Sequence, residues 1–261
     1  MNLQPILGVI LRSARLWKHD INLLLFSLYW PLLDIMIWGF LGSWMQQAQN
    51  IPNFAAVTLL GILLLQFAFR APNTIVMSFM EEIWADNLVN LFSLPLKISE
   101  WIVGITLFTA FVSSVIALFS ITIMWLLYNI SLSKILLSFG LFAPPLFICG
   151  IWLGFMGLLT VTFYGKRAQE FGFILVWFFA PFSGGYYPIE ALPHWARIIS
   201  SFLPMSYLLE GMRNYVLYGA NPTNALIQGY ALAILYTALA IAFFVYAFKK
   251  TKVKGLARLS N

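Results

Sequence analysis

The chain has 261 residues, 61% of them hydrophobic and 9% charged, with a formal net charge of +6. Soluble domains carry roughly 25% charged residues, so a water-soluble globule is excluded. A charge of +6 would suggest nucleic acid in a soluble protein, but here its placement says more than its total, and no nucleic-acid partner is expected.

The only cysteine, Cys149, permits no internal disulfide and no cysteine-based zinc site. His19 and His194 are too few and too far apart for a paired-histidine metal motif. Asp, Glu, Lys and Arg are absent from 35–69, 101–133, 135–165, 171–189 and 214–248. A membrane-crossing helix needs about 20 mostly apolar residues, which every run except 171–189 exceeds. Alternating strands of about ten residues, the mark of an outer-membrane barrel, are absent. The expected fold class is an all-α membrane protein, formed as a single domain over 1–261.

Residues 1–20 read as an amphipathic interfacial helix. Leu3, Ile6, Leu7, Ile10, Leu11, Ala14 and Trp17 recur at helical spacing, while Arg12, Arg15 and Lys18 cluster toward its end. Such a helix lies among lipid headgroups with its basic side chains toward anionic lipid. No small-residue cleavage site follows the basic cluster, so the first apolar stretch is expected to stay as an anchor. Six spans are expected, at about 21–45, 54–79, 101–128, 135–164, 171–188 and 225–248. With the N-terminus inside, eleven lysines and arginines fall in inner segments and three in outer ones. That asymmetry predicts cytoplasmic N- and C-termini.

Two charges lie inside spans. At 1.5 Å per residue, Asp34 sits roughly 18 Å and Arg70 roughly 14 Å from the inner boundary. An isolated charge at such depth costs several kcal/mol, so the expectation is an Asp34–Arg70 pair between the first two spans, with a polar pathway lining as the alternative. Pro31 and Pro72 lie nearby and loosen both helices.

Residues 81–92 form the expected inner helix. Glu81, Glu82 and Asp86 are acidic, and Ile83, Trp84, Leu88, Leu91 and Phe92 are apolar, with Asn87 between. Helix-end capping explains Glu81 and Glu82 on its own; docking to a cytoplasmic protein is the functional reading. Pro95 ends the segment. Beyond the fifth span, 181–188 carries two prolines and two glycines, and two short amphipathic stretches follow, each opened by a proline. They are too short to cross and too apolar for water, so 189–217 is expected to dip into the outer leaflet.

No phosphate-binding glycine loop is present: Gly165-Lys166 is followed by arginine and lacks the earlier glycine. The spans also lack the ionisable sets of a gradient-driven carrier or of an intramembrane lipid-modifying enzyme. Any uphill movement therefore needs energy from a partner.

Leu192-Pro193, ten residues, Pro204-Met205-Ser206-Tyr207, five residues and Arg213, with Gly185 and Pro188 before them, resemble the signature of type-2 ABC exporter permeases. Phe179 and Phe182 depart from the pattern, where smaller or aliphatic residues are usual. The resemblance covers nearly the whole chain. It implies a non-enzymatic permease subunit, dimeric with itself or a related permease, in a bacterial or archaeal-type inner membrane. A separate ABC ATPase, which would bind the ATP and Mg, would dock on the segment holding Glu81, Glu82, Ile83, Trp84, Asp86, Asn87 and Leu88. The implied cargo is a drug or lipid-like molecule or a lipid-linked glycan.

Overall fold

The computed structural model describes residues 2–19, 21–50, 52–168, 170, 174 and 177–255. Its helices are α1 (Leu3–His19), α2 (Ile21–Gln49), α3 (Phe54–Trp84), α4 (Leu88–Ser93), α5 (Ile98–Tyr128), α6 (Leu132–Tyr164), α7 (His194–Ser201), α8 (Pro204–Tyr218) and α9 (Thr223–Lys254). Among the described residues there is no strand. Five helices, α2, α3, α5, α6 and α9, are long and apolar enough to cross a membrane. The expected fifth span, 171–188, falls outside the described residues at 171–173, 175 and 176. Its later part is described, and there helix stops at Phe179 rather than reaching 188. A 3-10 turn, Ala180–Phe182, follows, and Gly184 then takes a φ of 78°. Pro181 brings no N–H, and only glycine adopts that φ without strain.

Prolines inside α2 and α3 shape the packing without breaking the helices. A proline removes the donor that would meet the carbonyl four residues earlier, so Pro72 frees the carbonyl of Ala68 and Pro31 frees that of Ser27. The Ala68 carbonyl faces Gly150 of α6, where a Cβ would stand 2.2 Å from the oxygen. Glycine at this position lets the two backbones touch. Along the α3–α6 seam, Leu64, Ile75, Phe79, Leu146, Phe155 and Leu158 are fully buried. Phe244 of α9 completes this core, with its ring 5.4 Å from that of Phe155.

The remaining helices attach at two ends. Helix α1 lies on α5, with buried Ile6 and Val9 against Gly104; a Cβ on Gly104 would meet Val9 Cβ at 2.8 Å. Glu100 fastens the same junction by accepting from the backbone N–H of Asn2 at 3.0 Å and of Lys97 at 3.1 Å. Leu3, Leu7 and Leu11 stay exposed on the other side of α1. The apolar residues of α1 thus divide between a packed face and an outward one. The C-terminal part of α9 comes to the same end, where the Lys252 ammonium reaches the Phe92 carbonyl at 3.3 Å and the Phe92 and Phe248 rings sit 4.7 Å apart. Helices α7 and α8 sit at the opposite end.

Candidate functional site

At the end that holds α1, the segment 81–92 is not the single helix expected. Helix α3 continues through Trp84, the chain turns at 85–87, and α4 begins at Leu88. Asp86 sits at φ 48°, a left-handed conformation that short polar side chains tolerate better than most. Hydrogen bonds from Asp86 N to Ile83 O (3.1 Å) and from Asn87 N to Glu82 O (2.9 Å) close the turn. Sequence periodicity could not place this break, because no glycine or proline marks it.

Glu82 is the centre of the turn. The Arg12 guanidinium of α1 donates to both carboxylate oxygens, at 2.7 and 2.8 Å, and the Asn87 amide adds a third bond at 2.7 Å. Two-pronged arginine–carboxylate bonding fixes orientation as well as distance. Of the residues expected to dock, Glu82, Ile83 and Leu88 are buried, Glu81 and Asn87 are half-buried, and Trp84 and Asp86 are exposed. The exposed tip is therefore smaller than the sequence segment. Arg12 escaped sequence reasoning as a member of this site. Its signal was the basic cluster of α1 set against Glu81 and Glu82, but nothing in a linear reading joins positions 70 apart.

Within the spans, Asp34 and Arg70 do not pair. Asp34 accepts from the Gln66 amide at 2.5 Å, and Arg70 donates to the backbone carbonyl of Ser27 at 3.1 Å. Depth placed the two charges near one another, but each has a nearer partner. Gln66 lies one turn from Arg70 on α3 and reaches Asp34 first. The Ser27 carbonyl is the one orphaned by Pro31, so arginine replaces the donor that the proline removed.

At the opposite end the signature residues converge. Pro188 precedes a 3-10 turn, Ile189–Ala191, whose C-cap is the buried Leu192; Pro193 precedes α7, and Pro204 opens α8. Arg213 donates to the Gly184 carbonyl at 2.6 Å and to Glu210 at 2.5 Å, while Glu210 accepts from the Ile189 N–H at 3.3 Å. Burial lowers the Arg213 pKa from its ordinary value, and the Glu210 charge opposes that shift. Ser200 and Ser206 both donate to the Phe182 carbonyl, at 2.7 and 2.9 Å, and Tyr207 donates to that of Ser201 at 2.8 Å. These bonds hold the irregular stretch after Phe179 against α7 and α8. Gly185 seats it on α3: a Cβ on Gly61 would meet the Gly185 oxygen at 2.8 Å. Glu210 was missed in the sequence; its position three residues before Arg213 on a helix was the available signal.

The geometry is that of a polytopic helical bundle with a clamped tip at one end and a hydrogen-bonded hairpin at the other. A family model described as ABC-2 family transporter protein matches residues 36–248, from within α2 into α9. A comparison with curated proteins finds no match. With most of its length matched and five helices able to cross a bilayer, the chain belongs to the ABC-2 transporter family, as a multi-pass permease component of an ABC transporter.

Proposed function

We propose that the chain is the permease subunit of an ATP-driven exporter. It pairs with a second copy or a related permease and is driven by a separate ATPase gripping the end where α1, α3 and α4 meet. On this reading that end is cytoplasmic, α1 lies among inner-leaflet headgroups, and α7 and α8 dip into the outer leaflet as an exit gate. ATP and Mg belong to the ATPase. Its closure shifts the permease between two packings, and the cargo, a drug or lipid-like molecule or a lipid-linked glycan, passes along the boundary between the paired permeases.

One observation carries the reading: the Arg12–Glu82–Asn87 clamp, which ties α1, α3 and the start of α4 into one block. A push on the exposed Trp84–Asp86 tip is delivered to a transmembrane helix rather than absorbed by a loose loop. Burial of Glu82 also selects the test. Glu82→Lys would break the clamp and confuse docking with folding, whereas Trp84→Ala with Asp86→Asn changes exposed groups and keeps at position 86 a short polar side chain that tolerates the left-handed turn. In proteoliposomes with the partner ATPase, that double variant is expected to cut permease-dependent ATP hydrolysis by roughly tenfold or more, as loss of about 1.4 kcal/mol of contact energy would. Undiminished hydrolysis and transport would remove the tip from the docking surface.

A further inference from the structure

Beside Arg70 is a small, partly open gap. Leu63, Gln66, Phe67 and Arg70 of α3 face Ser113, Ile116, Ala117 and Ser120 of α5 across a cavity of about 10 Å³, room for one water. Ser113 is 1% exposed and its hydroxyl has no hydrogen-bond partner; the Thr109 hydroxyl, one turn away on α5, is likewise unpartnered. Buried polar groups in native proteins are satisfied by protein or by something bound. Arg70 presents five donors, and among the described residues its side-chain bond goes to the Ser27 carbonyl. Among the described residues the ion pairs are Arg12–Glu82 and Arg213–Glu210, and no carboxylate there pairs with Arg70.

A cation at span depth, the spare Ser113 hydroxyl and a gap lined by both are complementary to an anion. We propose that the α3–α5 gap is an anion site within the membrane, taking the acidic head group of an amphiphilic substrate. This deepens the permease reading and rests on it. Gln66 and Arg70 are half-buried rather than sealed in, so the head group enters sideways while the apolar tail remains in lipid. As the helices stand the gap has room for a single water; a phosphate or carboxylate enters as α3 and α5 part. Charge-assisted bonds from the guanidinium supply the preference for an anion over a zwitterion.

The test uses the full chain in nanodiscs, without ATPase, titrated with dodecyl phosphate, dodecylphosphocholine and inorganic phosphate. Dodecyl phosphate is expected to bind about tenfold or more tightly than either of the others. Arg70→Gln should abolish that preference, and Arg70→Lys should keep it within a few-fold. Equal binding of the zwitterion, or an unchanged preference in Arg70→Gln, overturns the site. Inorganic phosphate binding as tightly as dodecyl phosphate overturns the amphiphile assignment. Should Arg70→Gln fail to fold, Ser113→Val, which fills the gap and removes a hydroxyl, carries the test, and a retained preference there is equally fatal. No ATPase is added, so failure here is separate from failure of the docking experiment.

Discussion

Glu82 shows how a single carboxylate can organise one end of this molecule. It is buried and held by three side-chain hydrogen bonds, two of them from Arg12 on a helix 70 positions away. Removing Arg12 leaves a buried charge with the Asn87 amide as its remaining side-chain partner, and a lost charged bond of this kind costs on the order of 2 kcal/mol. Arg12→Ala should therefore lower the midpoint of chemical unfolding in detergent, and adding Glu82→Gln should recover part of the loss. Strictly additive effects in that double-mutant cycle would show that the two side chains do not interact. Residue partners were the least legible part of the sequence. The types and positions of Asp34 and Arg70 announced buried charge, whereas Glu82 read as a helix cap or a docking group and its burial was not foreseen. Their choice of partner depended on Gln66, on a carbonyl freed by Pro31 and on the approach of α1, none of which is written in local spacing.

Helices were far more legible, because a bilayer leaves a backbone few ways to satisfy its own polar groups. The apolar runs announced α2, α3, α5, α6 and α9, and the prolines at 193 and 204 announced α7 and α8. Their ends were less visible: α3 runs to Trp84 and absorbs the first third of the segment expected as a separate inner helix. Which helices touch follows from small residues. A Cβ at Gly150 would meet the Ala68 backbone oxygen at 2.2 Å, and a backbone cannot yield as a side-chain tip can. Gly150→Ala is expected to destabilise by about 1–3 kcal/mol through overpacking. Gly140, on the same helix, has nothing within 4 Å of its would-be Cβ. Gly140→Ala should therefore be neutral or stabilising by up to about 1 kcal/mol, from helix propensity alone. Thermal unfolding of the two variants side by side reads this difference, and equal effects would show that α3 and α6 do not approach at this point.

Across the whole molecule, α3 joins both ends, as does α9, whose start packs on α8 and whose end reaches Phe92. The 31 residues of α3 extend roughly 46 Å at 1.5 Å per residue. Near one end Glu82 is clamped to α1; near the other Gly61 lies against the carbonyl of Gly185, in the stretch that Arg213 fastens through Gly184. A packed helix moves as a body, so a displacement delivered at the tip arrives at the hairpin through the Gly61–Gly185 contact. This route separates two kinds of failure in the proposed exporter. Trp84→Ala with Asp86→Asn should lose ATP hydrolysis and transport together, because the ATPase no longer engages. Gly61→Ala places a methyl group 2.8 Å from the Gly185 oxygen and forces α3 away from the hairpin. It should leave ATPase binding intact while transport falls severalfold, so that hydrolysis runs uncoupled. Both quantities can be read from one proteoliposome preparation. Normal transport in Gly61→Ala would mean that the hairpin does not take its motion from α3, and loss of ATPase binding in that variant would mean that the two ends are not mechanically separate.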